Sequence, residues 1–289
     1  MSITRNQAER IASVLSEGLP YIQKFSGKII VIKYGGAAMS KKELKNGFAK
    51  DIALMKLVGM KPIIIHGGGP QISKELKREG ISSIFISGNR VTSAKSMKII
   101  KRVLANKVNK EIVSLIEKNG AKAFSLTHKN SRVIKASRID NEVNPKLGLV
   151  GRVSLIKKNP IKKLLAKNIV PVISPIGFDN KETFLNINAD LVAAKVAECF
   201  KAEKLILLTD VKGIEGEDRS LLTRITPKKA KSILLGGIVR KGMKPKLLAS
   251  LEAISKGVKS SHIIDGRLPH AVLLEVLTKE GVGTLITSK

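Results

Sequence analysis

The chain has 289 residues, of which 43% are hydrophobic, so it can bury a sizeable core and wholesale disorder is excluded. Its single cysteine, Cys199, excludes a disulfide framework and a cysteine-built zinc site, and it indicates a reducing, cytosol-like compartment. No apolar run reaches the roughly 18 to 20 residues that a membrane span needs, so we expect no membrane association.

Residues 1–9 lack the apolar stretch of a secretory signal, so we expect a cytoplasmic protein, or a stromal one if the source is a plastid. The formal net charge of +30 would suit a nucleic-acid partner. However, the lysines are spread along the whole chain, and only 3% of the residues are aromatic, so platforms for stacking bases are scarce. We therefore predict a lysine-rich solvated surface and no nucleic-acid partner.

An extra segment, residues 7–25, precedes the first predicted strand. Its apolar residues share one helical face: Ile11, Val14, Leu15, Leu19 and Ile22. Such a stripe needs a partner, which is either the body of the protein or a second subunit.

Short β-branched runs then alternate with helical patterns. Strands are predicted over 28–33, 62–66, 83–87, 123–127, 132–137, 169–176, 204–209, 261–265 and 283–287. Apolar spacing predicts helices over 42–58, 70–79, 93–119, 190–199, 229–235, 244–256 and 270–277. This alternation predicts an α/β fold of three layers, in which an open, mainly parallel sheet carries helices on both faces.

Glycines and cations recur where predicted strands end. The first strand runs into Lys33, Gly35 and Gly36, where backbone N–H groups and an ammonium could hold a phosphate, although a plain glycine turn is the alternative. The second strand ends in His-Gly-Gly-Gly-Pro at 66–70, before a predicted helix. We expect His66 to be a structural hydrogen-bonding residue rather than a base. No Walker loop occurs in the sequence.

Later strand ends carry further polar side chains. Arg90 follows a predicted strand and could grip a carboxylate with two N–H groups. Asn186 and Asp190 precede an apolar helix, where Asp190 could alternatively be only a first-turn carboxylate that the helix dipole favours. Thr209, Asp210, Gly213 and Lys246 complete this set. Open α/β sheets bind ligands at such strand ends, so one ligand site is predicted there.

Taken in order, these motifs resemble those of the N-acetylglutamate kinase family, from about residue 10 to the end of the chain. The matching stretches are 33–36, 66–70, 88–92, 186–190, 207–213, 242–246, 262–267 and 280–284. The resemblance implies the amino-acid kinase fold and ATP-dependent phosphorylation of the side-chain carboxylate of N-acetyl-L-glutamate in arginine biosynthesis.

The resemblance also implies residue roles. Lys33 and Lys246 would stabilise the transferring phosphoryl group, and Asp190 would orient both lysines. Substrate-binding residues would be Gly68, Gly69, Arg90 and Asn186, and nucleotide-binding residues would be Gly35, Gly36, Thr209, Asp210 and Gly213. No set of several protein carboxylates is apparent, so we expect no protein-built metal site and a Mg²⁺ ion held mainly by ATP phosphates and water.

The polar turn at 179–182 suggests a division near residue 180. We expect an N-terminal regulatory helix over 1–27, an acid-binding lobe over 28–180 and a nucleotide-binding lobe over 181–289. The two chain ends further imply a homo-oligomer, a hexamer built from dimers, that L-arginine inhibits. The arginine site would comprise Tyr21, Glu280, Gly281 and Gly283. An N-terminal helix that packs only on its own subunit is the alternative.

Two other functions remain open from the sequence. The first is a sister kinase of the same fold that acts on another acid, such as N-acetyl-aminoadipate, glutamate or carbamate. The second is a basic binding protein that has kept the fold without turnover. The presence of both lysines and of Asp190 favours a kinase.

Overall fold

Strands and helices alternate along the chain. The computed structural model describes residues 4–86, 88–139, 147–216, 218–236 and 242–288. The α-helices are α1 (Arg5–Glu17), α2 (Leu19–Phe25), α3 (Lys42–Leu57), α4 (Gly69–Arg78), α5 (Ala94–Arg102), α6 (Lys110–Lys118), α7 (Lys158–Ala166), α8 (Ala189–Phe200), α9 (Pro227–Leu235), α10 (Lys244–Ser255) and α11 (Ala271–Leu277). A 3₁₀ turn covers Gly36–Met39, and a π-helical stretch covers Val103–Asn109.

Within the described residues, the strands form three sheets. They are β1 (Ile29–Tyr34), β2 (Lys61–His66), β3 (Phe85–Ile86), β4 (Asn89–Arg90), β5 (Ala123–Leu126), β6 (Ile134–Arg138), β7 (Gly151–Ile156), β8 (Val170–Ile173), β9 (Ile176–Phe178), β10 (Phe184–Asn186), β11 (Lys204–Thr209), β12 (Arg224–Ile225), β13 (Ser260–Asp265) and β14 (Gly283–Thr287). The main sheet has eight strands in the order β12-β14-β13-β11-β1-β2-β8-β5. All its neighbours run parallel except β13 and β14, which confirms the predicted open, mainly parallel sheet.

Helices cover both faces of the main sheet. Ile30 and Ile32 of β1 pack in one apolar cluster with Ile52 of α3, whereas Val31 packs in a second cluster with Val192 of α8. Successive side chains of a strand point to opposite faces, so β1 supplies both cores. This double burial explains why the central strands are continuous apolar runs and confirms the three-layer prediction.

The N-terminal segment forms two helices rather than one. Thr4 caps α1: its hydroxyl accepts from Gln7 N at 3.3 Å, and the Gln7 amide oxygen accepts from Thr4 N at 2.9 Å. Pro20 lies in the first turn of α2, where a missing N–H costs little. Phe25 ends α2 in the core, and α2 packs against α11. The side chains at 11, 14 and 15, part of the predicted stripe, lie outside the described residues.

Some predicted boundaries were wrong. The run over 169–176 divides at Pro175 into β8 and β9, which belong to different sheets. The strand predicted over 83–87 is the short β3, which pairs with β4 in a hairpin of its own; residue 87 lies outside the described residues. The smaller sheet, β10-β9-β6-β7, includes two strands that the sequence did not predict. Within the described ranges, no helix combines the length and apolar character that crossing a membrane requires.

Candidate active site

Three neighbouring strands end at one edge of the main sheet. Because β1, β2 and β11 run parallel, their carboxyl ends at Tyr34, His66 and Thr209 lie at the same edge. A cleft of about 290 Å³ lies there. Seven predicted site residues line it: Lys33, Gly36, Gly68, Gly69, Arg90, Asn186 and Asp190. Folding therefore assembles most of the predicted set in one place.

Lys33, Asp190 and Lys246 form a buried lysine–aspartate cluster. The Lys33 ammonium lies 3.2 Å from Asp190 Oδ1, and the Lys246 ammonium donates to Asp190 Oδ2 at 2.9 Å. Asp190 occupies the first turn of α8, whose N-cap Asn188 accepts from the Asp190 N–H at 2.8 Å. Lys246 follows Pro245 in the first turn of α10. Two helix starts and one strand end thus converge on a single carboxylate.

The lysine–aspartate cluster carries a surplus positive charge. Burial lowers the pKa of Lys33, and Asp190 only partly restores it. Burial alone would raise the pKa of Asp190, but the two lysines outweigh it and hold that pKa below its usual range. Asp190 Oδ1 accepts no hydrogen bond of good geometry from the described residues, and its nearest cation is the Lys33 ammonium at 3.2 Å. Two cations around one anion suit a polyanionic ligand beside them.

Glycines let the loops after β1 and β2 approach each other closely. A Cβ at Gly35 would lie 3.2 Å from the Lys33 ammonium, and Gly36 has a φ of +64°, a left-handed conformation that glycine adopts freely. The Gly67 N–H donates to the Tyr34 carbonyl at 2.7 Å and ties the two loops together. The glycine backbone after β1 consequently lies next to the lysine–aspartate cluster.

Arg90 is fixed in place before any ligand binds. Its guanidinium donates to Ser83 Oγ at 2.5 Å, to Ser73 Oγ at 2.9 Å and to the Gly69 carbonyl at 3.1 Å. The guanidinium also stacks 4.5 Å from the ring centre of Phe85. Burial lowers the pKa of Arg90, yet a guanidinium remains charged at neutral pH. A preorganised planar cation of this kind can bind a carboxylate with two hydrogen bonds.

The remaining predicted nucleotide-binding residues lie outside the cleft. Thr209 ends β11 and donates to Asp210 Oδ1 at 3.2 Å. A Cβ at Gly213 would come within 2.6 Å of Thr284 Oγ1, so a side chain there does not fit. Asp210 is nevertheless close enough to raise the pKa of Lys33. These residues share the sheet edge with the lysine–aspartate cluster.

Strands β11 and β13 and helix α11 carry a second charge cluster, largely buried, that the sequence did not predict. We call Lys204, His262 and Glu275 the C-terminal cluster. His262 Nδ1 lies 2.5 Å from Glu275 Oε1, and the Lys204 ammonium lies 3.3 Å from His262 Nε2. No motif spacing joins these residues. They meet because β11 pairs with β13 and α11 packs back on β13.

Of the predicted regulatory residues, Gly281 lies beside this C-terminal cluster. Tyr21 of α2 packs on the core that also holds Phe25, with their rings stacked 6.5 Å apart. Glu280 is exposed, whereas a Cβ at Gly281 would lie 2.8 Å from Glu275 Oε2. Gly283 opens β14 against β13. The buried acid next to Gly281 is therefore Glu275.

Comparison with known proteins identifies the class. Residues 28–265 match the model of the Amino acid kinase family, so the chain belongs to that family. An acetylglutamate kinase from Hydrogenovibrio crunogenus is 50% identical over 297 residues, which cover 100% of both chains. Within the amino acid kinases, the chain belongs with the acetylglutamate kinases.

Solved structures agree on the fold. N-acetylglutamate synthase from Neisseria gonorrhoeae, complexed with coenzyme A and N-acetyl-glutamate, matches 96% of this chain with a TM-score of 0.87 and 22% identity. The same synthase complexed with coenzyme A and L-arginine matches with a TM-score of 0.83 and 21% identity. The chain spans 63% of the first synthase chain and 65% of the second. At this identity the likeness shows the fold alone.

Proposed function

We propose that this chain transfers the γ-phosphoryl group of ATP to the side-chain carboxylate of N-acetyl-L-glutamate, a step of arginine biosynthesis. The observation that carries the proposal is the lysine–aspartate cluster, buried beside a cleft that a fixed arginine also lines. The 50% identity to an acetylglutamate kinase along the whole chain supports the choice of acid.

The reaction needs no general base on the protein. A carboxylate with a reference pKa of roughly 4 is already ionised at neutral pH and can attack phosphorus directly. The protein must therefore align two anions and offset the charge that spreads over the transferring group. Lys33 and Lys246 would supply that charge from two sides, with Asp190 holding both ammonium groups in position.

The acid substrate would occupy the cleft near β4. Arg90 would bind the α-carboxylate, because its guanidinium is held by neighbouring oxygens and carries a full charge. Asn186 would assist, since its amide is oriented by donation to Thr92 Oγ1 at 3.1 Å. Gly69 and Gly68 would contribute backbone groups at the start of α4.

ATP would bind across the same sheet edge. Gly35 and Gly36 would approach the phosphates, and Thr209, Asp210 and Gly213 would contact the rest of the nucleotide. In this arrangement residues 28–180 serve the acid and 181–289 the nucleotide, although one sheet runs through both. We further propose that Mg²⁺ arrives with ATP and offsets phosphate charge. In the described part of the chain, no group of three or more His, Cys, Asp or Glu residues could hold a metal ion.

We also propose that L-arginine inhibits the enzyme at a separate site. Tyr21, Gly281, Gly283 and an acidic residue would line the inhibitor site in a cytoplasmic hexamer, with residues 1–27 joining dimers. Glu280 is the acid predicted from the sequence, but Glu275 is buried beside Gly281, so we propose Glu275 as the stronger partner. A ligand there can act on catalysis only by favouring one arrangement of the chain over another.

Trapping the product tests the chemistry. Phosphorylation of a carboxylate yields an acyl phosphate, which hydroxylamine converts to a hydroxamate. Purified protein with ATP, Mg²⁺ and N-acetyl-L-glutamate should form hydroxamate in step with ADP. Release of ADP without hydroxamate would indicate ATP hydrolysis and reject the proposal. A Lys246→Ala variant is the negative control.

A further inference from the structure

The helical segment that packs against the glycine-rich loop after β2 contains a π-helical stretch. Helices α5 and α6 are joined by Val103–Asn109, where the hydrogen-bond pattern widens. Such stretches are rare inside α-helices and are frequent at functional sites. Here the stretch packs against the loop after β2: a Cβ at Gly68 would lie 2.6 Å from Leu104 Cδ2 and 3.5 Å from Val108 Cγ2. The loop is therefore braced from this side.

Asn109, the last residue of the stretch, contacts His66 in the core. Both residues have no exposed surface. The Asn109 amide Nδ2 lies 3.0 Å from His66 Nε2 and donates to the Val172 carbonyl at 3.0 Å. A reversed amide would place its oxygen against that carbonyl, so the observed orientation is fixed. The Asn109 Oδ1 atom has no hydrogen-bond donor among the described residues, so the two contacts of Nδ2 hold the amide in place.

These contacts assign the tautomer of His66. Its Nδ1 atom lies 2.7 Å from the Gly67 carbonyl oxygen, which can only accept, so Nδ1 carries the hydrogen. Its Nε2 atom faces the Asn109 NH₂ group and must accept. Burial lowers the pKa of His66 to about 4, so the ring is neutral at physiological pH. His66 is a fixed donor to Gly67 and not a proton carrier.

The fixed carbonyl determines the direction of the next N–H group. A peptide group is planar and trans, so the Gly67 carbonyl and the Gly68 N–H point in opposite directions. Holding the carbonyl against His66 turns the Gly68 N–H away from the ring, at the edge where Gly67 and Gly68 line the cleft. The Gly67 N–H is already used by Tyr34. Gly68 is thus a donor that this loop can offer to a ligand.

We propose that His66 and Asn109 are positioning residues for phosphoryl transfer: Asn109 holds the Nδ1–H tautomer of His66, which fixes the Gly67 carbonyl and aims the Gly68 N–H at the transferring group. The inference rests on the proposed function, because that function supplies the phosphoryl group. A donor aimed in advance costs no reorganisation when charge develops.

Two substitutions at His66 separate its two hydrogen bonds. His66→Asn places an amide NH₂ near the Nδ1 position and can still donate to the Gly67 carbonyl, while it loses contact with Asn109. His66→Gln places its amide near the Nε2 position and can still accept from Asn109, while it loses the bond to Gly67. We expect His66→Gln to lower kcat about ten- to hundredfold, the lower part of the range for losing one preorganised donor. His66→Asn should retain clearly more activity at a similar Tm.

Asn109 has a matched control in the same π-helical stretch. Asn109→Leu should lower kcat about tenfold, as misaimed donation requires, with the KM for N-acetyl-L-glutamate nearly unchanged. Asn106 is exposed, so Asn106→Leu should leave both constants unchanged. Equal losses in His66→Asn and His66→Gln that follow their Tm values would show a purely structural role and overturn the inference.

A measurement of the His66 tautomer tests the assignment of the hydrogen to Nδ1 without relying on enzyme activity. Long-range ¹H–¹⁵N correlation spectra should show His66 with a protonated Nδ1 and an unprotonated Nε2 at neutral pH. A protonated Nε2 would overturn the inference even if the protein is an active kinase. A wild-type protein without hydroxamate formation would instead overturn the proposed function, and this inference with it.

Discussion

The lysine–aspartate cluster and the C-terminal cluster differ in charge balance. The lysine–aspartate cluster has two cations for one anion, lies beside a cleft, and leaves Asp190 Oδ1 without a hydrogen bond from the described residues. In the C-terminal cluster, burial lowers the pKa of His262 and keeps the ring neutral, so Lys204 and Glu275 offset each other. Both Glu275 oxygens have partners, His262 and the Val282 N–H. We therefore expect the unbalanced lysine–aspartate cluster to take part in the chemistry and the balanced C-terminal cluster to have a supporting or regulatory role.

Removing either lysine of the unbalanced cluster should have the largest effect. Lys33→Ala and Lys246→Ala should each lower kcat on the order of a hundredfold or more, because charge stabilisation acts mainly in the transition state. Steady-state kinetics with N-acetyl-L-glutamate measures this. An unchanged kcat in both variants would remove the basis for the assigned roles. Lys204→Ala, in the balanced cluster, is the comparison and should lower kcat far less.

Asp190→Asn should change the pH dependence as well as the rate. In the wild type, the Asp190 charge raises the pKa of Lys33 against the effect of burial. Without that charge the Lys33 pKa falls further, and a lysine loses its charge as pH rises through its pKa. The alkaline loss of kcat should therefore begin at a lower pH in the variant. A kcat profile from neutral to alkaline pH tests this, and a shift in the opposite direction would contradict it.

Arg90→Ala should act mainly on substrate binding. Loss of a charged, bidentate contact to a carboxylate costs about tenfold or more in affinity. We expect the KM for the acid to rise by that factor while the KM for ATP stays nearly constant. Arg90→Lys keeps the charge but not the fork, so it should recover only part of the loss. A change confined to kcat would place Arg90 elsewhere in the mechanism.

We expect substitutions in the C-terminal cluster to have the smallest effect on turnover but a specific effect on inhibition by L-arginine. Glu275→Gln should leave kcat within about twofold but weaken inhibition by L-arginine about tenfold, the usual cost of a lost charged hydrogen bond. Glu280→Gln, at an exposed acid after the end of α11, should weaken the inhibition less. The inhibition curves of both variants decide between the two acids. Equal curves for wild type and Glu275→Gln would remove Glu275 from the site.

Prediction from the sequence was most accurate for the strands whose two faces are both buried. Strand β11 was predicted with its observed bounds because the continuous apolar run 205–208 leads into a polar turn. Strand β7 was missed because Arg152 and Ser154 interrupt its apolar pattern and part of the strand is exposed. The π-helical stretch was hidden inside a predicted helix over 93–119, since apolar spacing does not distinguish the two helix types.

The candidate site followed the same rule. Glycines and lysines at strand ends revealed Lys33 and Gly68 through local sequence alone. The ion pair of Lys246 with Asp190 spans 56 positions, and the pairing of His66 with Asn109 spans 43, so neither is visible from spacing. Such contacts depend on which helix packs on which strand end. The order of the motifs predicted the candidate residues, whereas their contacts became apparent only from the fold.

The rate of ADP release with different acids tests the central claim most directly. The account predicts that release with ATP and Mg²⁺ stays near background without an acid and reaches its highest kcat/KM with N-acetyl-L-glutamate. N-acetyl-aminoadipate, glutamate and carbamate, assayed in parallel, should give much lower values. Equal or better turnover of any of these acids, or release that does not depend on an acid, would contradict the account.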